Sequence, residues 1–158
     1  MPLDEIQIEP ATDGDAVAVL DLQRRAYRSE AVLYDDWTIP PLTQTLDDLR
    51  LRFTDMTILK ATEGGTIVGS VRAAEKDGVC AIGRLIVDPD HQRRGIGSRL
   101  MEAIEGRFPD ALRFELFTGG KSEGNIRLYT RLGYRVSRTE VVSPKLSLVF
   151  FTKARQER

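Results

Sequence analysis

The chain has one cysteine, Cys80, so no disulfide can form within it, and packing and hydrogen bonds must hold the fold. Cys80 itself stands at a strand start, where a small core residue is the ordinary reading. One histidine, His91, excludes a multi-histidine metal site and has no second ring to support a catalytic role. No apolar run approaches the ~18 residues of a membrane helix. The acidic start, M-P-L-D-E-I-Q-I-E, has no hydrophobic signal region, so a cytoplasmic location without a membrane is expected. An excess of charge is also missing. With 23 Lys and Arg against 24 Asp and Glu, there is no electrostatic case for binding nucleic acid. Repeats, linkers and low-complexity segments are absent too. What remains is 158 residues, 41% of them apolar, which suits a single domain over 1–158 with a real core.

The most informative stretch runs from Ile82 to Gly106. Ile82 to Val87 is short, mostly apolar and ends in β-branched residues, which reads as a buried strand. Asp88-Pro89-Asp90 stops it, because proline lacks the N–H that a ladder needs. Ile96, Leu100 and Ile104 then recur every four residues, with Met101 and Phe108 beside them, as in a helix with one buried face. The turn between, Gln92-Arg93-Arg94-Gly95-Ile96-Gly97, sets two arginines and two glycines at the helix start. The first N–H groups of a helix lack partners and lie at the positive end of its dipole. Glycine lets a bulky anion come close to them, so a pyrophosphate is the expected ligand. A Rossmann loop fits worse, since Met101 and Glu102 stand where its third glycine is due. A P-loop fits worse too, since no lysine follows Gly97.

The segment resembles motif A of the GNAT superfamily of N-acyltransferases, R/Q-x-x-G-x-G/A after a strand, which Gln92, Gly95 and Gly97 fill. A second stretch, Asn125 to Tyr134, resembles motif B, A/N-x-x-x-Y-x-x-x-G-F/Y. Asn125 and Tyr129 share a helical face, and helix-to-sheet packing is the plain alternative for the tyrosine.

In chain order, Ile6 and Ile8 mark a first strand. Thr12 and Asp15 start a helix that buries Ala16, Val19, Leu20, Ala26 and Tyr27. The pattern dissolves around Tyr34, and a second helix is expected from Thr45 to Phe53. Strands at 57–62, 66–75 and 79–87 are joined by Gly64-Gly65 and Asp77-Gly78, which predicts an antiparallel meander. After the glycine-started helix come a strand at 111–118, a helix at 125–132 closed by Gly133, and strands at 134–142 and 146–153. The tail from Ala154 to Arg158 is expected to fray. The resulting α/β order, β-α-α-β-β-β-α-β-α-β-β, matches the GNAT order over essentially the whole chain. The resemblance implies a mixed, mostly antiparallel seven-stranded sheet with flanking helices. Its fourth and fifth strands, here 82–87 and 112–118, splay around the pantetheine arm.

The resemblance also implies acetyl-CoA as co-substrate, no metal, and transfer to a primary amine by direct attack on the thioester. Gln92 to Ser98, through Arg93, Arg94, Gly95, Ile96 and Gly97, would hold the phosphates. The amides of Leu85, Ile86 and Val87 would pair with the pantetheine, Asn125 would position it, and Tyr129 would protonate the leaving thiol. Many relatives carry a glutamate base on the fourth strand, where this chain has Arg84, which is expected among the acceptor-binding residues with Glu30, Tyr34, Asp35 and Trp37. Glu115 is one substitute, acting through water, unless it forms an ion pair with Arg84. Glu30, Asp35 and Asp36 are others, in the region that forms the family's acceptor site. With Tyr34 and Trp37 they suit a cationic amine, unless the segment is a solvated loop. A small-molecule amine is the expected acceptor. A protein lysine or N-terminus is an alternative within the superfamily, and a non-catalytic acyl-CoA-binding module is an alternative outside catalysis. Exposed last strands make a homodimer plausible.

Overall fold

The computed structural model describes residues 5–155. In chain order the strands and helices are β1 (Ile6–Pro10), α1 (Ala16–Ala26), α2 (Arg28–Tyr34), α3 (Pro40–Thr43), α4 (Leu46–Asp55), β2 (Thr57–Glu63), β3 (Thr66–Lys76) and β4 (Val79–Val87), then α5 (Ile96–Gly106), β5 (Arg113–Gly119), α6 (Glu123–Arg131), β6 (Arg135–Ser143) and β7 (Leu146–Ala154). The seven strands form one sheet, ordered β1-β2-β3-β4-β5-β7-β6. All its pairs are antiparallel except β4 with β5.

Alternation along β2 shows why helices cover both faces. Leu59 faces a core that includes Leu100, Met101 and Ile104 of α5. Its neighbour Ile58 faces the other way, onto Ala16, Val19 and Leu20 of α1 and Leu49 of α4. The sheet is therefore the middle of three layers. The every-fourth-residue pattern predicted for α5 is what buries Ile96, Leu100 and Ile104. Cys80 is fully buried, and burial pushes its thiol up to about 12, as befits an inert core residue.

Between β1 and β2 the chain makes four helices rather than the expected two. The first breaks at Tyr27, whose φ of −85° and ψ of 0° leave the helical region, and α2 starts directly after it. A left-handed Asp35, φ 50°, ends α2. Pro40 then opens α3 at a helix's first position, where the missing N–H costs nothing. The tail expected to fray is held as far as it is described. Ala154 pairs with Arg113 in the sheet, and the Arg155 guanidinium donates to the carbonyls of Ala111, Glu105 and Phe108. The rest of that tail, 156–158, lies outside the described residues.

Two features open the sheet. The β4–β5 ladder holds only from Val79↔Arg113 to Ala81↔Glu115, after which the strands diverge. On its other side β4 carries a bulge: Ser70 pairs with Ile86 and Arg72 with Gly83, leaving Arg84 and Leu85 opposite Val71. Arg84 has φ 50°, a conformation that costs a non-glycine residue about 1–2 kcal/mol. Such bulges re-aim backbone and side chains beside functional sites.

Candidate active site

The diverging strands enclose a cleft of about 470 Å³, within the range of small-molecule sites. Ala81 to Leu85 form one wall and Leu116 to Gly119 the other. Asn125 and Tyr129 of α6 lie between, and Asn125 Nδ2 donates to Thr118 Oγ1 at 3.2 Å.

The glycine-started helix begins where the sequence places it. Gly95 is its N-cap, with φ 79°, in the left-handed region that favours glycine. The first helical bond runs from Arg99 N–H to the Gly95 carbonyl at 3.1 Å. The N–H groups of Ile96, Gly97 and Ser98 precede it and have no acceptor within the helix. A Cβ on Gly97 would touch Leu128 at 3.4 Å and point toward Leu85 and Val87. Glycine leaves this part of the helix N-terminus without a side chain. Gln92 and Arg93 are exposed beside it, and Arg93 also has positive φ, 64°. Arg94 is committed elsewhere: its Nη2 lies 2.6 Å from Glu63 Oε2. That hydrogen bond holds the Glu63 carboxyl below the usual range. The side chains of Ile96 and Ile86 are buried in the protein, so only their main chains remain for a ligand. Leu85 lines the cleft.

Tyr129 lines the cleft too, its ring edge-on to Tyr134 and Phe151 at 6.1 and 5.8 Å. Burial pushes its phenol up, with Tyr27 and Glu30 adding to the effect, so it stays protonated at neutral pH.

The acceptor region departs most from expectation. Glu115 is the clearest correction. It sits where β4 and β5 still pair, does not line the cleft, and accepts from Arg113 Nε at 3.1 Å. The expected Arg84–Glu115 pair does not form, and Arg84 Nη1 instead donates to Gln44 Oε1 at 3.1 Å. Asp35 and Trp37 are absent from the lining as well. Asp35 lies 3.5 Å from Lys145 Nζ at the surface, and Trp37 is 57% exposed, because the left-handed turn at Asp35 throws this segment outward. Asp36 accepts from Thr38.

Among the described residues Glu30 is the one carboxylate that borders the cleft. A directed chain of hydrogen bonds holds it. Ser122 donates its only proton to Glu30 Oε2 at 2.6 Å, so Tyr34 must be the donor in its 2.8 Å bond to Ser122 Oγ. The Tyr34 oxygen in turn accepts from Lys121 N–H at 2.9 Å. Tyr34 is buried, and a Cβ on Gly119 would collide with its hydroxyl, so Gly119 makes the approach possible. Arg72 also borders the cleft. Burial, and next the Arg84 charge, push its guanidinium down to about 10. Sequence reasoning passed over Arg72, Gln44 and Ser122. A charge inside the otherwise buried run from Val68 to Ala73 was the available signal for the first.

A mixed sheet opened at its only parallel pair, with a glycine-started helix at the opening, is the N-acyltransferase architecture anticipated from the two motifs. The profile of the Acetyltransferase (GNAT) family matches residues 16–134, and the chain belongs to that family. It is 26% identical over 133 residues to UPF0157 protein YqkA of Bacillus subtilis (strain 168), a match covering 84% of this chain and 38% of that protein. The chain thus spans well under half the length of that curated relative. Among solved structures it is similar to yncA of Salmonella typhimurium, solved with acetyl-CoA: TM-score 0.75, 21% identity, 98% of this chain and 96% of that one. It is also similar to the paia N-acetyltransferase of Thermoplasma acidophilum in complex with coenzyme A: TM-score 0.75, 16% identity, 95% and 99% covered. At these identities the likeness concerns the fold. Among the described residues no helix is long and apolar enough to cross a membrane, and no three side chains are grouped to hold a metal.

Proposed function

We propose that this acetyltransferase moves the acetyl group of acetyl-CoA to a primary amine of a small molecule by direct attack on the thioester. The observation that carries the reading is the cleft between β4 and β5, which Glu30 and Tyr129 both border, with the glycine-started α5 following β4.

The chemistry needs both side chains. An alkylammonium of pKa ~10.4 is only about one part in 2,500 free amine at pH 7, a handicap of ~4.6 kcal/mol. Glu30, held by Ser122, accepts the ammonium proton. The amine nitrogen then bonds to the acetyl carbon, the C–S bond breaks, and the nitrogen gives its second proton to solvent. Tyr129 gives its proton to the departing thiolate and recovers one from solvent. The balance is one ammonium and one thioester in, and one amide, one thiol and one proton out. Main-chain N–H groups of the bulged β4, near Leu85, are the oxyanion donors in this reading, each worth ~2.7–4 kcal/mol. Ile96, Gly97 and Ser98 bind the diphosphate through N–H groups, with Gln92 and Arg93 beside them.

The test is thiol release from acetyl-CoA over a panel of small amines and a lysine peptide, with Tyr129→Phe as the comparison. Turnover about 10²-fold lower in the variant, with acetyl-CoA binding unchanged by calorimetry, is expected of a catalyst. A protein that binds acetyl-CoA but releases no thiol would be a binding module. Preference for the peptide would make the acceptor a protein.

A further inference from the structure

Arg72 and Arg84 both border the acceptor end of the cleft, and the transfer step uses neither. Arg84 spends one donor on Gln44. Arg72 has a buried Nη1 without a hydrogen-bond partner among the described residues. Around this pair, α4 contributes Asp48, which accepts from Gln44 Nε2 at 2.7 Å, and Arg52, which is paired with Asp55 at 3.0 Å. Tyr27 lines the same cleft as a neutral phenol, since burial raises its pKa. With Arg52 matched by Asp55, the two guanidiniums against the Asp48 carboxylate leave one excess positive charge at this end, apart from Glu30 across the cleft.

We propose that Arg72 and Arg84 receive a carboxylate of the acceptor, which makes the acceptor a small amino-carboxylate, of the amino acid class. The inference rests on the transferase reading above and names its substrate class. One carboxylate cancels the single excess charge, whereas a phosphate dianion overshoots it. The guanidinium fork matches a carboxylate's two oxygens. Glu30 supplies the opposite charge for the ammonium end, and Ile39, Pro40 and Leu146 supply apolar wall for the body between. A diamine fits worse, because its second ammonium meets the arginines.

The experiment compares thiol release for amino acids and their carboxamides, corrected for the fraction of free amine, with a diamine and a lysine peptide alongside. Wild type, Arg72→Gln and Arg84→Gln are used, and calorimetric binding of acetyl-CoA confirms that each variant is folded. Wild type is expected to favour the acid over its amide at least tenfold in kcat/KM, and either variant to bring that ratio near one. Equal use of the amide, the diamine or the peptide overturns the proposal and leaves the transferase reading standing. So does an acid preference that survives in both variants. Thiol release from no compound at all overturns the transferase reading itself, and the proposal with it.

Discussion

The donor end of the proposed site draws mainly on one continuous segment, Ile82 to Gly106, whereas the acceptor end gathers Tyr27 with Glu30, then Pro40, Arg72 and Leu146, from four separate places in the chain. In the proposed reading the donor end works mainly through main-chain N–H groups, so its demand on sequence is steric: glycine where φ is positive, as at Gly95. The acceptor end works through side chains, whose meeting depends on how α2, α3 and β3 pack. A binding loop made of backbone leaves a fixed spacing in the sequence, and a pocket made of side chains does not.

Substitutions that separate the two ends sharpen this contrast. The largest effect is expected at the donor end. Gly97→Glu puts a carboxylate among the N–H groups meant for a diphosphate and should weaken acetyl-CoA binding by more than ~100-fold, about 2.7 kcal/mol, in a calorimetric titration. Unchanged affinity would remove α5 from the site.

At the acceptor end, Glu30→Gln keeps the shape and the Ser122 contact but loses the proton acceptor. Turnover should fall by ~10²–10³ while acetyl-CoA affinity stays the same. A fall in both would mean that the two ends are not independent. Gly119→Ala is expected to act on stability first. The new methyl displaces Tyr34 and costs about 1–3 kcal/mol in a urea melt, as overpacking does. It should also loosen the Ser122–Glu30 bond and raise the KM of the amine rather than that of acetyl-CoA.

The smallest effect concerns Asp88, which ties α1 to the loop before α5 through Arg25 Nη1 at 2.9 Å. Burial works against its charge, but the Arg25 hydrogen bond and the Asp90 N–H outweigh it and hold the carboxyl below the usual range. A depressed folded value means stability that is present above the unfolded pKa of ~3.9 and lost as pH falls through the folded one. Asp88→Asn should cost about 1 kcal/mol at pH 7, the Arg25 end being partly open to solvent, and the difference from wild type should shrink as the pH falls below that value.

Legibility followed the same division. The strands of the meander were readable because Gly64-Gly65 and Asp77-Gly78 adopt positive φ in tight hairpins. Four residues placed in the acceptor chemistry from sequence behaved differently once packed. Glu30 reaches the cleft, and Tyr34 lines it but is buried as the support of Ser122. Asp35 and Trp37 turn away, because a left-handed Asp35 redirects the chain by local backbone geometry that an L-residue seldom signals. Glu115 failed for a different reason. It sits before the point where β4 and β5 part, and no periodicity within a strand says where its ladder to a neighbour will end.

By itself the sequence determined the seven strands, their order, the hairpins and the glycine-started helix. Each of these depends on residues close together in the chain, through φ preference, hydrogen-bond capacity and the period of burial. Tertiary structure alone decided that β4 and β5 separate after Ala81, that a bulge turns Arg84 toward Gln44, and that Glu30 is the carboxylate facing the cleft. Those outcomes depend on contacts between distant segments, where shape and charge select one arrangement among many that the same local preferences allow.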